Sequence, residues 1–172
     1  MTYYNNMTEQ FDIIMLNMSS YSDWDKGIQN RNYHILHTLE RDPRVRRILS
    51  VDFLPYNIKT ALKIYINDIV KNTHGGDIIY GDMTSECHQL SSKIFNYSTI
   101  DSVYSSERVI IEIGKLINIL KLHNIIVWGY NPLYVDYFHR FGQILTVFDT
   151  VDNWLEHSAF KPYREKLQRN YQ

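Results

Sequence analysis

The chain has 172 residues, a length that suits one domain with a complete hydrophobic core. Hydrophobic residues make up 44% of it and charged residues 22%, which is typical of a folded protein and excludes a chain that is disordered throughout. The net charge is -1, with lysine and arginine spread along the sequence. We therefore expect no nucleic-acid partner, because DNA or RNA binding calls for a clustered basic face.

Cysteine usage and the N-terminus bear on the compartment. Cys87 is the only cysteine, which rules out an internal disulfide and suits a reducing environment. The polar start MTYYNNMTEQ lacks the basic and apolar regions of a secretory signal, and no apolar run is long enough to span a bilayer. We expect a cytoplasmic protein with a disordered leader over 1–10 and one domain over 11–172.

The first part of the chain alternates apolar runs with helical spacing. FDIIML (11–16) predicts a buried strand, and the polar loop NMSSYSDWDKG follows it. Helical spacing predicts a helix over 28–41, which Pro43 ends, and RRILSVDFL (46–54) predicts a second strand.

The middle of the chain is less regular. Residues 57–72 suit a short helix, HGGDIIYGD (74–82) suits a turn followed by a strand, and HQLSSKIFNYST (88–99) suits one or two strands of a hairpin. We therefore expect a small β-hairpin insertion around 77–99.

From residue 105 onward, helices and strands alternate clearly. A helix with one apolar face follows the serines at its start, and NIIVW (124–128) predicts the next strand. NPLYVDYFHRFG (131–142) predicts a helix with an Asn–Pro start and a glycine end. ILTVF (144–148) predicts a further strand and 153–171 a last helix. This alternation predicts an α/β fold, a Rossmann-like three-layer sandwich with a mostly parallel sheet.

Several common motifs are missing. The glycines form neither a dinucleotide fingerprint nor a phosphate-binding loop, and G-x-S-x-G, C-x-x-C and H-E-x-x-H do not occur. Glu86, Cys87 and His88 are adjacent, but neighbours on a strand point to opposite faces and cannot share one ion. We therefore predict no metal site and no cofactor.

Ligands of open α/β sheets bind beyond the carboxyl ends of the strands. The three loops that follow predicted strands there contain aromatic, acidic, basic and amide side chains, namely Trp24, Asp25, Arg31, Asn131, Asp149 and Asp152. Rings that stack on a sugar face and polar groups that pair with its hydroxyls would suit a carbohydrate.

Most of these residues also have a structural interpretation. Asn131 can cap its helix, and Asp152 or Asn153 can cap the last one. Trp24 can be an ordinary core residue. Asp149, directly at the end of a strand, is the hardest to explain as a cap.

Two stretches carry a family resemblance. IIVWGYNPLYVDYFHRFGQILTVFDTVDNWLEH joins a strand-to-helix element containing Trp and Pro to a strand ending in Y/F-D-x-V-D-D/N, and FDIIMLNMSSYSDWDKGIQNRNYHILHTLER places a W-D…R pattern before a helix. Together they resemble the N-terminal half of GT-B fold glycosyltransferases, especially the broad retaining bacterial family that includes enzymes of surface-polysaccharide and teichuronic-acid synthesis.

The resemblance implies the acceptor-binding half of a two-domain enzyme. Such an enzyme moves a sugar from a nucleotide-sugar donor to a glycan or lipid-linked acceptor, without a metal. The donor would be bound mainly by a C-terminal domain with two glutamates spaced E-x7-E, which these 172 residues lack, so the chain alone would be inactive. A lipid-linked acceptor would imply peripheral contact with the inner face of the membrane.

By position, the resemblance also implies roles for single residues. Asp149 would be catalytic, orienting an acceptor hydroxyl or acting as a base. The substrate-binding residues would be Trp24, Asp25, Arg31, Asn131 and Asp152, with Arg31 contacting a phosphate. Phe148 stands where many relatives have a histidine, so no histidine role carries over. The alternative is a stand-alone Rossmann-like binding or interaction module without catalysis.

Overall fold

The computed structural model of the protein describes residues 9–55, 59–63, 66, 75–103, 105–150, 152–156 and 158–171. The predicted leader over 1–10 lies outside this part of the chain except for its last two residues. Of the helix predicted over 57–72, residues 59–63 and 66 are described and are helical.

The described residues form one seven-stranded sheet in the order β3-β4-β5-β2-β1-β6-β7. Neighbouring strands from β5 to β7 pair in parallel, whereas β4 runs antiparallel to both β3 and β5. The fold is therefore α/β with a mixed, mostly parallel sheet. The strands are β1 (Phe11–Leu16), β2 (Val45–Val51), β3 (Asp77–Gly81), β4 (Ser85–Gln89), β5 (Ile94–Thr99), β6 (Ile125–Gly129) and β7 (Leu145–Phe148).

Helical segments cover both faces of this sheet. They are α1 (Tyr21–Asp25), α2 (Arg31–Arg41), α3 (Ser106–Ile119), α4 (Arg164–Asn170) and the 3-10 segments Pro132–Tyr137 and Ser158–Tyr163. Ile13 and Met15 of β1 pack on the side of α1 and α2, whereas Ile14 and Leu16 pack on the side of α3 and α4. Burial on both faces explains why β1 is apolar without alternation.

The predicted strands are confirmed with small shifts at their ends. The runs at 11–16, 46–54, 124–128 and 144–148 form β1, β2, β6 and β7. Strands do form around 77–99, as β3, β4 and β5, but the prediction that they are an insertion is wrong, because β5 pairs in parallel with β2 and the three strands extend the main sheet.

The helix predicted over 28–41 is α2, which begins at Arg31 after the N-cap Asn30. The polar loop predicted before it contains the short helix α1. There the backbone N–H of Ser20 donates to Asp23, and the N–H of Tyr21 donates to Asp52 at 2.9 Å. Side-chain capping therefore supplies a short helix that apolar spacing does not indicate.

Two predicted helices are wrong in type or length. The segment 131–142 is a 3-10 helix that ends at Tyr137, and positive φ at His139 and Gly142 prevents its continuation. The segment 153–171 divides into a turn over 154–156, a 3-10 helix and α4. Pro162 has no N–H to donate, which opposes one continuous α-helix.

The order of the strands creates a reversal point at the centre of the sheet. The chain builds β2 and β5 on one side of β1, and β6 and β7 on the other. The carboxyl edge, where β1, β2, β5, β6 and β7 end, therefore has its crevice between β1 and β6. Within the described ranges, we find no helix with the length and apolar character needed to cross a membrane.

Candidate site at the carboxyl edge

Two predicted site residues that are distant in sequence meet at the carboxyl edge. Asp149 directly follows β7, and its N–H donates to the carbonyl of Gly129 at 2.9 Å. Arg31 opens α2, and its Nη2 donates to Asp149 Oδ1 at 2.8 Å. The side chain of Arg31 is 60% exposed and that of Asp149 only 11%. The carboxylate is therefore held in place while the guanidinium stays open to a ligand.

Tyr130, the residue after β6, lies close to this ion pair and is fully buried. Burial raises the pKa of its phenol, the Asp149 carboxylate raises it further, and Arg31 opposes these effects. The hydroxyl has no hydrogen-bond partner in the described part of the chain. Tyr130 is thus a neutral potential donor, which strand-end position alone did not single out.

Buried polar side chains also follow β1 and β2. Asp52 accepts a hydrogen bond of 2.6 Å from Ser98 besides the one from the N-terminus of α1. Asn17 donates to Ser50 at 2.8 Å, and no partner for its Oδ1 lies among the described residues. The crevice therefore has polar walls. The signal in the sequence is a polar residue immediately after each apolar run.

Trp24 has a structural part as well as a place in a cleft. It is 4% exposed, and its Nε1 donates to Asn30 Oδ1 at 3.2 Å. Asn30 caps α2 and donates to Ser19 at 2.9 Å, so Trp24 helps to fix the start of α2. Trp24 and Asp25 line a cleft of about 310 Å³ beside α2, whose lining does not include Arg31.

The two remaining candidates differ in burial. Asn131 is buried and accepts a hydrogen bond of 2.9 Å from the N–H of Leu133, as its capping interpretation predicts. Asp152 is exposed and lines an open depression of about 460 Å³ together with Tyr171. The alternative in which Asp152 or Asn153 caps a long last helix is wrong, because 154–156 form a turn and the next helical segment is the 3-10 helix Ser158–Tyr163.

The three potential metal ligands of β4 lie on opposite faces of the strand. Glu86 and His88 point to one face and pair at 3.0 Å, whereas Cys87 is buried on the other. Burial raises the pKa of the Cys87 thiol to about 12. Among the residues that the structure describes, no group of three or more potential metal ligands lies together.

Comparisons with protein-family models, with curated proteins and with solved structures found no match. The family and activity of the chain therefore stay proposals that rest on its own residues.

Proposed function

We propose that this chain is the Rossmann-like, acceptor-side domain of a GT-B fold glycosyltransferase and that it binds its acceptor at the carboxyl edge. The observation that carries the proposal is the meeting of Arg31 and Asp149, whose positions are 118 apart in the sequence. They meet at the edge where open α/β sheets bind ligands. The resemblance of the two sequence stretches supplies the reaction class.

Asp149 and Arg31 have different roles in the proposed site. The Asp149 carboxylate orients an acceptor hydroxyl, or accepts its proton as the oxygen attacks the anomeric carbon of the donor and the nucleoside diphosphate leaves. Arg31 holds that carboxylate and turns its remaining N–H groups toward a phosphate oxygen. An acceptor that carries both a hydroxyl and a phosphate, such as a lipid-linked sugar phosphate, would use both residues.

The buried phenol of Tyr130 adds an uncharged donor to this site. Its raised pKa keeps the hydroxyl protonated at neutral pH. Because Tyr130 is fully buried, a ligand oxygen would reach this hydroxyl only after a local rearrangement of the crevice, and it would then supply the hydrogen-bond partner that the described residues do not. This would favour a hydroxyl or phosphate oxygen over an apolar ligand.

One observation favours the alternative, a binding or interaction module without catalysis. Asp149 already has a cationic partner at 2.8 Å, which suits a residue that ties α2 to β7. In that case Arg31 and Asp149 would matter for stability and not for a ligand.

Ligand titration of the purified chain distinguishes the two. We would follow backbone amide NMR signals while adding a water-soluble sugar linked through a diphosphate to a short prenyl chain. A nucleoside diphosphate sugar would be titrated separately. Arg31→Ala should weaken binding of the prenyl-linked probe by about tenfold, because a charge-assisted phosphate contact is lost.

Arg44→Ala is the matched control. Arg44 is also 60% exposed and also pairs with an aspartate, Asp42, but it precedes β2 at the opposite edge of the sheet. It should change binding by less than about twofold. If the prenyl-linked probe does not bind, or if both variants bind it equally well, the acceptor-site proposal is wrong.

A further inference from the structure

The cleft beside α2 has three aromatic walls. Tyr21, Trp24 and Tyr33 line it where α1, α2 and the start of β5 come together. The ring centroids of Tyr21 and Trp24 are 6.3 Å apart at 75°, and those of Trp24 and Tyr33 are 6.1 Å apart at 69°. Because neighbouring rings are nearly perpendicular, they contact each other edge to face and do not stack in parallel. Tyr21 and Tyr33 are only half-buried, so a ligand can reach them.

The charges in this cleft are acidic. Asp25 is exposed and Glu40 half-buried, and the described residues that line the cleft include neither lysine nor arginine. The surroundings of Tyr21 reflect this, because burial, then Asp25, Tyr33 and Asp52, raise the pKa of its phenol. A phosphate or carboxylate ligand would meet like charges here.

Glu40 is fixed in an ionised form. Its Oε1 accepts a hydrogen bond of 2.6 Å from Ser91, and its Oε2 lies 3.1 Å from His37 Nδ1. Burial acts to raise the pKa of this carboxyl, but the hydrogen bonds from Ser91 and His37, together with the electrostatic effects of His37, which also lines the cleft, and of Arg41, outweigh it and lower the pKa. The negative charge therefore persists at neutral pH and stays at one wall of the cleft.

We propose that this cleft binds an organic cation, a quaternary ammonium or alkylammonium group. Aromatic faces attract such cations through the ring quadrupole, and the two carboxylates neutralise the charge. Leu36, Leu90 and Ile94 line the rest of the cleft and would contact methyl or methylene groups. The site is separate from the Arg31–Asp149 pair and does not rest on the proposed glycosyltransferase function.

Choline and 3,3-dimethyl-1-butanol make the decisive pair of probes, because they share a shape and differ in charge. We would titrate each into the folded chain at constant ionic strength and follow the indole N–H signal of Trp24 by NMR. The indole signals of Trp128 and Trp154, which lie outside the lining, serve as internal references. Choline should shift the Trp24 signal saturably and bind at least about fivefold more tightly than the neutral isostere.

Two variants test the parts of the site. Asp25→Asn should weaken choline binding by about threefold and leave the isostere unaffected, and Tyr33→Leu should weaken it by about tenfold. Asp77→Asn removes another exposed carboxylate, at the start of β3, and should change nothing. Thermal melts confirm that each variant is folded. Equal affinity for the two probes, no saturable shift at Trp24, or equal effects of Asp25→Asn and Asp77→Asn would each overturn the proposal.

Discussion

Two arginine–aspartate pairs stand at opposite edges of the sheet and differ in burial. At the carboxyl edge, the side chains of Arg31 and Asp149 are 60% and 11% exposed. At the amino edge, where the parallel strands begin, those of Arg46 and Asp12 are 24% and 0% exposed. The same pair of ionised groups therefore has an exposed guanidinium on one side of the sheet and a mostly buried one on the other, where the carboxylate is fully buried.

The amino-edge pair is part of a hydrogen-bond network, in which Asp12 Oδ1 and Arg46 Nε are buried and have no partner among the described residues. Asp12 accepts a hydrogen bond of 2.7 Å from the N–H of His123, and Arg46 donates to the carbonyl of Lys121 at 2.6 Å. Both partners belong to the connection between α3 and β6. The carboxyl-edge pair leaves most of its guanidinium open. The two pairs contain the same kinds of ionised group, so their difference in burial is what distinguishes a structural cluster from a candidate binding site.

The largest effect should come from the buried pair. Asp12→Ala leaves Arg46 without its carboxylate and the His123 N–H without its acceptor, so the free energy of unfolding should fall by about 3–5 kcal/mol. Urea denaturation followed by circular dichroism measures it. Asp42→Ala, which breaks the exposed pair with Arg44, is the control and should cost far less. Equal losses would mean that burial of Asp12 does not decide its role.

The exposed pair should contribute little to stability and much to function. A double-mutant cycle on Arg31 and Asp149 should give a coupling below about 1 kcal/mol in the free energy of unfolding. If the proposed glycosyltransferase function is right, Asp149→Ala in the complete transferase should abolish sugar transfer and shift stability by no more than about 1 kcal/mol. A variant that unfolds, or one that keeps full transfer, would contradict the assignment of Asp149.

The pH dependence of stability should test the charge of a third carboxylate, that of Glu40. Its pKa is lowered in the folded protein from the ordinary value of 4.5, so its contribution is complete above that value and is lost as pH falls through the folded pKa. The stability difference between wild type and Glu40→Gln should therefore shrink as pH drops below 4.5. Urea titrations across that range measure it. A difference that is constant with pH would show that the charge of Glu40 is not involved.

The smallest effect should come from a pair of buried tyrosines. Tyr130→Phe removes a hydroxyl without a partner in the described residues, so stability should change by less than about 1 kcal/mol while the prenyl-linked probe binds more weakly. Tyr134→Phe is the matched control. Tyr134 donates to the carbonyl of Asn17 at 2.9 Å and accepts from the N–H of Leu54 at 3.2 Å. Urea denaturation should show a greater loss in the free energy of unfolding for Tyr134→Phe than for Tyr130→Phe. The reverse order would contradict this prediction.

Much of the fold could be predicted because two-sided burial is visible in the sequence. The apolar runs of β1 and β6 and the one-sided spacing of α3 reflect contacts that any packing of those elements needs. Helix α1 could not be predicted in this way, since its first turn is capped by Asp52, which follows the end of β2. The 3-10 segment Pro132–Tyr137 carries the same start signals as an α-helix.

The candidate site was predictable residue by residue but not as an arrangement. Arg31 and Asp149 were both expected beyond strand ends, yet nothing local indicates that they touch. Asn131 was given both a binding and a capping interpretation, and its bond to Leu133 accounts for its amide oxygen. Asp12 was not singled out, because a polar residue inside an apolar run does not reveal its partner.

Strands β1, β2, β6 and β7 and helices α2 and α3 could be located from the sequence alone, because hydrophobic spacing and proline act within a few residues of their own position. Only the tertiary structure decided which edge each strand occupies, how deeply Asp12 and Asp149 are buried, and which arginine each receives. It also decided that Tyr21, Trp24 and Tyr33 share a cleft with Glu40. Those properties depend on contacts between distant segments, and they set the charge and the accessibility on which any function of this protein depends.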